Sequence, residues 1–533
     1  MTAVADRVLP NPVLARDPST VISQERIDSL LRHLCVEANP VTAPLITPLT
    51  GRQVTEIPLS SEAAVDTAFA IARQAQKHWA MQSPQARARV ILRFHDLVLE
   101  RREEGLDIIQ LENGKARIHA AEELLDVAMT SRHYARTAPA LLKPVRQQPA
   151  VPVISSVTEL HHPKGVIGVI SPWNYPLTLA VSDAIPALLA GNGIVLKPDL
   201  QTTLCALWAV DLLYEAGIPD GLFGVVAGEG PKVGPMITER GDYIMFTGST
   251  NVGRQVAARC GQRLVGCSME LGGKNAMVVC DDVNLRRGAE IAQRACFANS
   301  GQLCISMERM YIHSSIFDEF SALLVERVKK MRLSAEIGWN GDMGSLITRK
   351  QLDTITRHVD DAVAKGARIL VGGKPRPDIG PFFFEPTILT DVTAEMECYA
   401  NETFGPVVSL YKFDTEAEAI ALANDSPYGL NASVLVGDTS RGRLIAAQIH
   451  AGTVNVNEGY AGAWGATSAP MGGYGDSGLG RRHGSEGLLK YTETQTVATQ
   501  RFVGLGTPPI LTHKQWADTL ALTMKFFKAI GRS

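Results

Sequence analysis

A repeated alternation of short apolar strands with helices, which begins at Gly165, constrains the fold of this chain more than any other feature. The first series predicts strands over 165–170, 193–198, 223–228 and 243–248, with helices over 177–190, 204–216 and 251–260. Strands that are apolar throughout and alternate with helices indicate a parallel sheet that helices cover on both faces.

A second series of the same kind follows the first. Its predicted strands are 275–280, 309–314, 367–372, 407–413, 431–437 and 452–457. Two such series in succession predict an α/β protein with two doubly wound parallel-sheet domains and a cleft between them.

The chain before Gly165 has a different pattern. Helical periodicity is visible over 24–34, 62–79, 86–102 and 120–137. Residues 148–162 instead alternate in polarity, are rich in β-branched side chains and are bounded by prolines, which predicts a protruding strand pair.

Size and charge exclude several classes of protein. At roughly 150 residues per domain, 533 residues predict about three to four domains. The 52 basic and 55 acidic residues give a net charge of −3, which argues against a surface that binds nucleic acid by neutralising phosphates. With 45% hydrophobic residues and no low-complexity tract, disorder is also excluded. A multi-lobed globular enzyme remains.

The sequence predicts neither a secretion signal nor a membrane-spanning helix. Charged residues interrupt the first thirty positions, and no window holds 18 consecutive apolar residues. The eight cysteines show neither C-x-x-C nor zinc-site spacing, so we expect a cytoplasmic protein without a metal site. One of these thiols is available as a nucleophile, although a single cysteine is ordinarily a small buried apolar residue.

Two turns have features of a cofactor or oxyanion site. The segment F-T-G-S-T-N-V-G-R (246–254) follows a strand and opens a helix, where backbone amides can bind a pyrophosphate. It differs from the G-x-G-x-x-G motif, and an ordinary strand-to-helix turn is the alternative. In S-P-W-N-Y-P (171–176), Asn174 can offer an amide donor to an oxyanion, or it is simply a turn residue.

Two further motifs offer a nucleophile and a base. Cys304 follows Gly301-Gln302 in A-N-S-G-Q-L-C, a small and polar setting in which a turn can lower the pKa of a thiol. Glu270, in M-E-L-G-G-K-N, lies at a predicted strand end before two glycines and can act as a general base. A structural cysteine and a solvated glutamate are the alternatives.

Taken together, these motifs make the chain resemble the aldehyde dehydrogenase superfamily over residues of about 40 to 500. In the order typical of that family the chain has P-W-N-Y-P, V-L-K-P, F-T-G-S-T-x-V-G-R, E-L-G-G-K-N, S-G-Q-x-C, N-E-T-F-G-P-V (401–407), N-D-S-P-Y-G-L (424–430) and S-G-L-G-R (477–481). Cys304 also follows Glu270 by 34 positions, the usual separation of nucleophile and base in the family.

The resemblance implies a mechanism. The Cys304 thiolate attacks the aldehyde, and the Asn174 amide and the Cys304 backbone N–H hold the oxyanion of the thiohemiacetal. Hydride transfer to the nicotinamide leaves a thioester, which a water molecule activated by Glu270 hydrolyses to the carboxylic acid. A catalytically silent relative is the alternative, and a CoA-acylating enzyme is disfavoured because such enzymes usually lack the glutamate.

The resemblance also implies a Rossmann-like cofactor domain with its own set of residues. Lys197 is assigned to the adenosine ribose, the Gly248-Ser249 turn to the pyrophosphate, Glu402 to the nicotinamide ribose and Phe404 to the nicotinamide ring. The remaining residues assigned to the cofactor are Trp173, Gly253 and Leu271.

The choice between NADP and NAD depends on one departure from the family pattern. Members that prefer NAD often have a glutamate three positions after the lysine, whereas Leu200 occupies that position here. Without that carboxylate the chain is predicted to prefer NADP. Asp199 can still reach a ribose, which leaves NAD as the alternative.

Among family members the chain looks nearest to bacterial succinate-semialdehyde dehydrogenases. Ser182 and Ala298, however, occupy the positions where those enzymes use arginines to hold the distal carboxylate. Tyr460 and Trp464 favour an apolar or aromatic aldehyde instead. The usual P-F-G-G-x-K-x-S-G is also altered, to P-M-G-G-Y-G-D-S-G (470–478), so both substrate classes stay open.

The predicted organisation is as follows: an N-terminal extension (1–40), a cofactor-binding domain (41–145 and 163–270), oligomerisation strands (146–162 and 486–500), a catalytic domain (271–485) and an amphipathic C-terminal extension (501–533). The resemblance implies a homodimer or homotetramer in which the protruding strands join a neighbour's sheet. Leu520, Met524 and Phe527 share one face of a basic C-terminal helix, for which packing on a subunit is favoured over membrane contact.

Overall fold

The structure, a computed structural model, describes residues 18–149, 155–501 and 506–531. They fall into two units. The large unit comprises the chain up to Leu141 together with Pro163–Thr492, and the small unit comprises Leu142–His162 and the chain from Glu493 onward. Of the predicted N-terminal extension (1–40), residues 1–17 lie outside the described residues.

The strands of the described residues are β1 Thr42–Ile46, β2 Gln53–Pro58, β3 Val145–Gln147, β4 Ser155–Pro163, β5 Val166–Ile170, β6 Gly193–Lys197, β7 Phe223–Val225, β8 Tyr243–Thr247, β9 Gly266–Glu270, β10 Asn275–Val279, β11 Met307–His313, β12 Arg368–Val371, β13 Thr387–Thr390, β14 Val407–Phe413, β15 Tyr428–Gly429, β16 Asn431–Leu435, β17 Thr453–Val456, β18 Tyr474–Gly475, β19 Gly478–Leu479 and β20 Thr492–Gln500.

The α-helices are α1 Pro18–Val21, α2 Gln24–Leu31, α3 Glu62–Met81, α4 Pro84–Glu100, α5 Arg102–Asn113, α6 Arg117–Leu141, α7 Pro176–Val181, α8 Ala184–Leu189, α9 Thr203–Ala216, α10 Gly230–Arg240, α11 Thr250–Arg263, α12 Leu285–Phe297, α13 Phe317–Val328, α14 Arg349–Ala364, α15 Glu397–Ala400, α16 Glu416–Asn424, α17 Thr439–Ala446, α18 Ala461–Trp464, α19 Gly484–Leu489 and α20 His513–Ala529. Short 3₁₀ turns occupy Leu200–Thr202, Ala298–Gly301 and Ser314–Ile316.

The first predicted series forms a six-stranded sheet in the order β19-β9-β8-β5-β6-β7. Neighbouring strands are parallel except β19, which pairs antiparallel with β9. One face is covered by α3, α10 and α11, whose apolar side chains pack with those of β5, β6 and β8. The strands are apolar throughout because both faces of the sheet are buried.

The second series forms a seven-stranded sheet in the order β12-β13-β14-β11-β10-β16-β17. The side chains of β10 show how it is covered, since Met277 and Val279 pack with α12 and α13 on one face. Ala276 and Val278 pack with α16 and α17 on the other face. Only β12 runs antiparallel to its neighbour.

The predicted fold class is therefore confirmed, with one difference. Each sheet carries one antiparallel strand at an edge, so the sheets are mixed rather than wholly parallel. An antiparallel edge strand needs only a short connection, whereas a further parallel strand would need a crossover helix.

Two helix predictions differ from the structure. The single helix predicted over 177–190 is two short helices, α7 and α8, because Pro186 has no N–H with which to continue the ladder across Ser182 and Asp183. Helix α5 was not predicted, because nearly all its residues from Gly105 to Asn113 are buried and leave no amphipathic period to detect.

The small unit contains a three-stranded sheet in the order β20-β4-β3. The predicted strand pair is observed as β3 and β4, but residues 150–154 between them lie outside the described residues. Residues 486–489, predicted as strand, belong to α19, so the third strand starts only at Thr492. Helix α20 begins with a capping box at Thr512. In the part of the chain that the structure describes, no helix is long and apolar enough to span a membrane.

Candidate active site

The loop that carries Cys304 has an unusual backbone. Asn299, Ser300 and Gly301 all lie in the left-handed region, with φ of 50°, 56° and 70°. A Cβ atom at Gly301 would lie 2.0 Å from the Gly405 carbonyl oxygen, so only glycine fits there. Successive strained residues of this kind persist only where the surroundings fix them, as they do at many functional sites.

Two buried amide side chains fix the backbone around Cys304. The Gln302 Oε1 atom accepts a hydrogen bond from the Ile347 N–H at 3.0 Å. The Asn275 Nδ2 atom donates to the carbonyl oxygens of Cys304 at 2.8 Å and Ser306 at 2.7 Å. Gln302 and Asn275 lie within S-G-Q-x-C and E-L-G-G-K-N, but the motifs alone predict no role for either amide; the signal that could have found them is that a buried amide needs hydrogen-bond partners.

Asn174 lies beside this loop. Its side chain is buried, and its Nδ2 atom donates to the Gln302 carbonyl oxygen at 3.2 Å. The Asn299 Nδ2 atom in turn donates to the Asn174 carbonyl oxygen at 2.8 Å. The structure therefore brings Asn174 next to the segment that leads directly into Cys304.

Glu270 ends strand β9, as predicted, and is buried rather than solvated. Burial raises the pKa of its carboxyl group to about 7, against the opposing charge of Arg482. Its Oε1 atom has no hydrogen-bond partner among the described residues. A carboxylate with a pKa near neutrality and a free oxygen is suited to take a proton from water.

The turn after Glu270 passes close to the backbone of Cys304. A Cβ atom at Gly273 would lie 2.9 Å from the Cys304 carbonyl oxygen, and one at Gly272 would lie 2.4 Å from a carboxylate oxygen of Glu402. Glycines are required here because two other chain segments pass so close. Burial, together with the charges of Glu402 and Glu270, raises the pKa of the Cys304 thiol to about 12.

The predicted cofactor residues near α11 also lie together. Ser249 is the exposed N-cap residue of this 14-residue helix and makes no side-chain cap bond. The Gly248 N–H donates to the Glu270 carbonyl oxygen at 3.0 Å, which links this turn to the end of β9. A Cβ atom at Gly253 would lie 2.3 Å from the Leu271 side chain. The open helix N-terminus fits a pyrophosphate.

Lys197 ends strand β6 and is buried, with its Nζ donating to the Pro198 carbonyl oxygen at 2.8 Å. Burial lowers the pKa of this ammonium group. The Asp199 carboxylate caps the following turn by accepting a bond from the Gln201 N–H at 3.0 Å. Leu200 is half-buried at the start of that turn.

The residues assigned to the nicotinamide side converge as well. The rings of Trp173 and Phe404 meet edge to face with their centroids 5.5 Å apart. The Glu402 Oε1 atom accepts a bond from the Gly273 N–H at 2.8 Å, and burial raises the pKa of its carboxyl group to about 8. The buried Glu308 carboxylate accepts from the Phe404 N–H at 2.9 Å, which fixes this loop.

Cys304 packs against an apolar cluster that contains or contacts both residues predicted to line the substrate pocket. The cluster consists of Tyr175, Leu179, Ala298, Leu303, Ile305, Leu430, Tyr460 and Met471, with Cys304, Ala461 and Trp464 packed against it. Tyr460 is almost fully buried and its hydroxyl group donates to the Glu122 carboxylate at 2.9 Å. Trp464 meets Tyr175 edge to face. Tyr460 thus forms a wall of the cluster and its hydroxyl group is already paired.

The two positions at which arginines were expected are buried. The Ser182 hydroxyl group donates to the Asp126 carboxylate at 3.0 Å, and Ala298 is only 1% exposed. The guanidinium group of Arg294 lies over the Tyr460 ring at 5.4 Å but is paired with Glu458 at 2.5 Å. In the described ranges, no group of three or more His, Cys, Asp or Glu side chains is arranged to hold a metal ion.

Comparison with known proteins gives a consistent result. Residues 35–497 match the sequence model of the aldehyde dehydrogenase family. A protein of Mycobacterium ulcerans named putative succinate-semialdehyde dehydrogenase (NADP+) 2 is 53% identical over 92% of this chain and 95% of its own length. A protein of Mycolicibacterium smegmatis with a similar name is 54% identical over 90% of this chain and 92% of its own length.

Solved structures agree with these relatives. The betaine aldehyde dehydrogenase of Staphylococcus aureus in complex with NAD+ superposes with a TM-score of 0.83 at 30% identity, covering 92% of this chain and 99% of that one. An aldehyde dehydrogenase from Brucella melitensis biovar abortus gives a TM-score of 0.84 at 31% identity, covering 92% and 100%.

Proposed function

The chain belongs to the aldehyde dehydrogenase family, and from this premise we propose that it oxidises an aldehyde to a carboxylic acid with NADP as the preferred cofactor, using Cys304, Glu270 and Asn174 as catalytic residues. One observation carries the proposal. Three side chains drawn from distant motifs, a thiol, a carboxylate with a pKa of about 7 and an amide donor, lie around one loop.

Each residue has a defined task. The Cys304 sulfur forms a thiohemiacetal with the aldehyde carbon. The Asn174 Nδ2 atom exchanges its bond to the Gln302 carbonyl for one to the oxyanion, with the Cys304 N–H as the second donor. Losing one such donor costs roughly 10²- to 10³-fold in rate. Glu270 then takes a proton from the water molecule that hydrolyses the thioester.

The cofactor accepts the hydride when it is bound. The residues present fit it, because the N-terminus of α11 is open at Ser249 and Glu402 presents a carboxylate beside Gly272 and Gly273. Two features support a preference for NADP. Leu200 places no carboxylate near a 2′-phosphate, and Asp199 already caps its own turn. The relatives described above are named as NADP+ enzymes.

Two classes of substrate remain in competition. The names of the relatives favour succinate semialdehyde. The apolar cluster around Cys304, with Tyr460 and Trp464, favours an apolar or aromatic aldehyde, because neither Ser182 nor Ala298 can hold a carboxylate. We give the apolar class the greater weight, since it is supported by the residues that surround the thiol.

A panel of aldehydes assayed with NADP and NAD side by side tests this proposal. We expect turnover with NADP, and a higher kcat/KM for benzaldehyde or hexanal than for succinate semialdehyde. The reverse order of substrates would assign the site to the carboxylated aldehyde. Glu270→Gln should give a burst of reduced cofactor without steady turnover, and Cys304→Ala should give neither. No turnover by the unaltered chain with any aldehyde would favour a silent relative.

We further propose a cytoplasmic homodimer or homotetramer. All eight cysteines are free thiols, which suits a reducing compartment. The outer strands β3 and β20 expose Val145 and Val497 on a small sheet, and an uncovered edge of this kind is a liability in a monomer. Light scattering on the full chain gives the number of subunits, and a monomer would contradict the assignment.

Two interpretations of helix α20 remain in competition, packing on a subunit and contact with a membrane surface. Leu522, Phe526 and Ile530 are half or more exposed. Packing on a subunit predicts that the full chain and a variant ending at residue 505 behave alike when floated with anionic liposomes. Flotation of the full chain alone would establish membrane contact.

A further inference from the structure

A buried ion pair between Lys115 and Glu123 lies directly behind Asn174. Both side chains are 0% exposed, and the Lys115 Nζ atom is 2.9 Å from a Glu123 carboxylate oxygen. Neither residue belongs to the motifs that identify the family in this sequence. Burying two charges costs several kcal/mol per ion unless good geometry and further hydrogen bonds compensate, so the additional partners of this pair are informative.

The additional partners of Lys115 are on the segment that carries Asn174. Its Nζ atom donates to the Asn174 carbonyl oxygen at 2.7 Å. The same ammonium group lies 3.7 Å from the centroid of the Tyr175 ring, a cation–π contact. Lys115 therefore holds the backbone at Asn174 and the side chain that follows it.

Glu123 holds the next part of the same segment. Its Oε1 atom accepts hydrogen bonds from the backbone N–H groups of Leu177 and Thr178, the latter at 3.0 Å. These are first-turn N–H groups of α7, which have no partner inside the helix. The carboxylate thus fixes the start of the helix that follows Asn174.

The other side of the segment is fixed by neutral amides. Asn113 donates to the Trp173 carbonyl oxygen at 2.8 Å, and Asn299 donates to that of Asn174 at 2.8 Å. With Lys115 and Glu123, the carbonyl groups of Trp173 and Asn174 and the N–H groups of Leu177 and Thr178 all have side-chain partners. This backbone fixes the Cβ of Asn174 and so sets the point from which its amide extends toward the Gln302 carbonyl.

We propose that the Lys115–Glu123 pair is a positioning device that aims the Asn174 amide at the oxyanion. The inference rests on the proposed function, because the pair affects the rate only through the role of Asn174 as an oxyanion donor. An apolar pair of equal volume would pack as well but could neither donate to a carbonyl group nor accept from two amides. Oxyanion donors must sit within a few tenths of an ångström of their target, which is why a positioning error lowers the rate.

The test compares Lys115→Met/Glu123→Gln in two backgrounds of the full chain, the native one and Asn174→Ala. The double substitution leaves no uncompensated charge. We expect the rate of the reduced-cofactor burst, per active site, to fall about 10- to 100-fold in the native background, while the KM for NADP changes less than about twofold. In the Asn174→Ala background the same substitution should cause no further loss, since coupled residues are not additive.

The possible outcomes are distinct. If Asn174→Ala itself leaves the burst rate unchanged, the oxyanion role in the proposed function is wrong. If Asn174→Ala slows the burst but the double substitution does not, the positioning role is wrong. Equal slowing in both backgrounds would make the pair a merely structural one.

Two single substitutions at Glu123 cover the case in which the double variant fails to fold, and they are compared with each other because both leave Lys115 without its carboxylate partner. Glu123→Gln keeps the shape and an acceptor oxygen for the amides of α7, and should retain most of the burst rate. Glu123→Leu, which is similar in volume but cannot accept, should lose it. Equal rates for the Gln and Leu variants would overturn the proposal.

Discussion

Asp183 and Arg482 form a buried ion pair although 299 positions separate them in the sequence. The Lys490 ammonium group joins them, 3.3 Å from the Asp183 carboxylate. The cluster thus holds two cations and one anion, and all three act electrostatically on Glu270. Burial of Glu270 favours its neutral form, the two cations favour the carboxylate, and the balance places its pKa at about 7.

The first prediction concerns the pH dependence of thioester hydrolysis. Glu270 works as a base only when it is ionised, so the rate of the slow phase after the burst should rise about tenfold per pH unit below 7 and level off above it. Stopped-flow measurement of this phase between pH 5 and 9 checks the prediction. The same rate at pH 5.5 and pH 8 would exclude Glu270 as the base.

The second prediction is that Asp183→Asn shifts this profile toward lower pH. The substitution leaves the charges of Arg482 and Lys490 uncompensated, which favours the ionised form of Glu270 and lowers its pKa. The midpoint of the acid limb should fall by about one pH unit or more. A midpoint that moves upward would show that the cluster does not act through its charge. Asp318→Asn, at an exposed site, is the matched control.

The third prediction concerns the stability of the same variant. Burial opposes ionisation of Asp183, but Arg482 and Lys490 outweigh it and hold its pKa well below the ordinary 3.8. A carboxylate with a lowered pKa contributes stability that is present above its unfolded pKa and is lost as the pH falls toward the folded pKa. Asp183→Asn should therefore cost about 3–5 kcal/mol of unfolding free energy at pH 7.

This difference between the native chain and Asp183→Asn should shrink when unfolding is measured progressively below pH 4. Urea denaturation at pH 7 and at pH 3.5 provides the comparison. A difference in unfolding free energy that is larger at pH 3.5 than at pH 7 would contradict a lowered pKa of Asp183 in the folded protein.

The positions of these charges could not have been predicted from the sequence. Strands β5 to β8 were predictable because each is an uninterrupted apolar run, and Cys304 and Glu270 because each lies in a distinctive motif. Asp183 and Arg482 meet only after the chain has folded, and no hydrophobic periodicity or local motif in the sequence indicates that they pair. The pairing of Lys115 with Glu123 was not predictable for a related reason. Lys115 lies in the loop between α5 and α6, Glu123 lies within a helical pattern, and charged residues in either setting are ordinarily solvated.

The fourth prediction concerns the reactivity of Cys304. Burial, with the charges of Glu402 and Glu270, raises the pKa of its thiol to about 12 in the cofactor-free enzyme. Since the thiolate is the nucleophile, inactivation by iodoacetamide should accelerate about tenfold per pH unit from pH 7 to 9 without levelling off. Glu402→Gln removes one of the negative charges and should speed the reaction at pH 9. A plateau by pH 8 would indicate a thiol with a much lower pKa.

The last prediction is that Leu200→Glu shifts the cofactor preference toward NAD. Leu200 opens the turn that begins three positions after Lys197, and Asp199 keeps its carboxylate on the Gln201 amide, so the described residues leave this turn without a free carboxylate. A new negative charge within about 5 Å of a 2′-phosphate costs roughly 1–3 kcal/mol in a partly solvated site. The ratio of kcat/KM for NADP to that for NAD should therefore fall about 10- to 100-fold. Leu200→Gln, which adds the shape without the charge, should change the ratio less than about threefold. An equal change in the two variants would show that Leu200 acts by its shape, and an unchanged ratio in both would place the 2′-phosphate elsewhere.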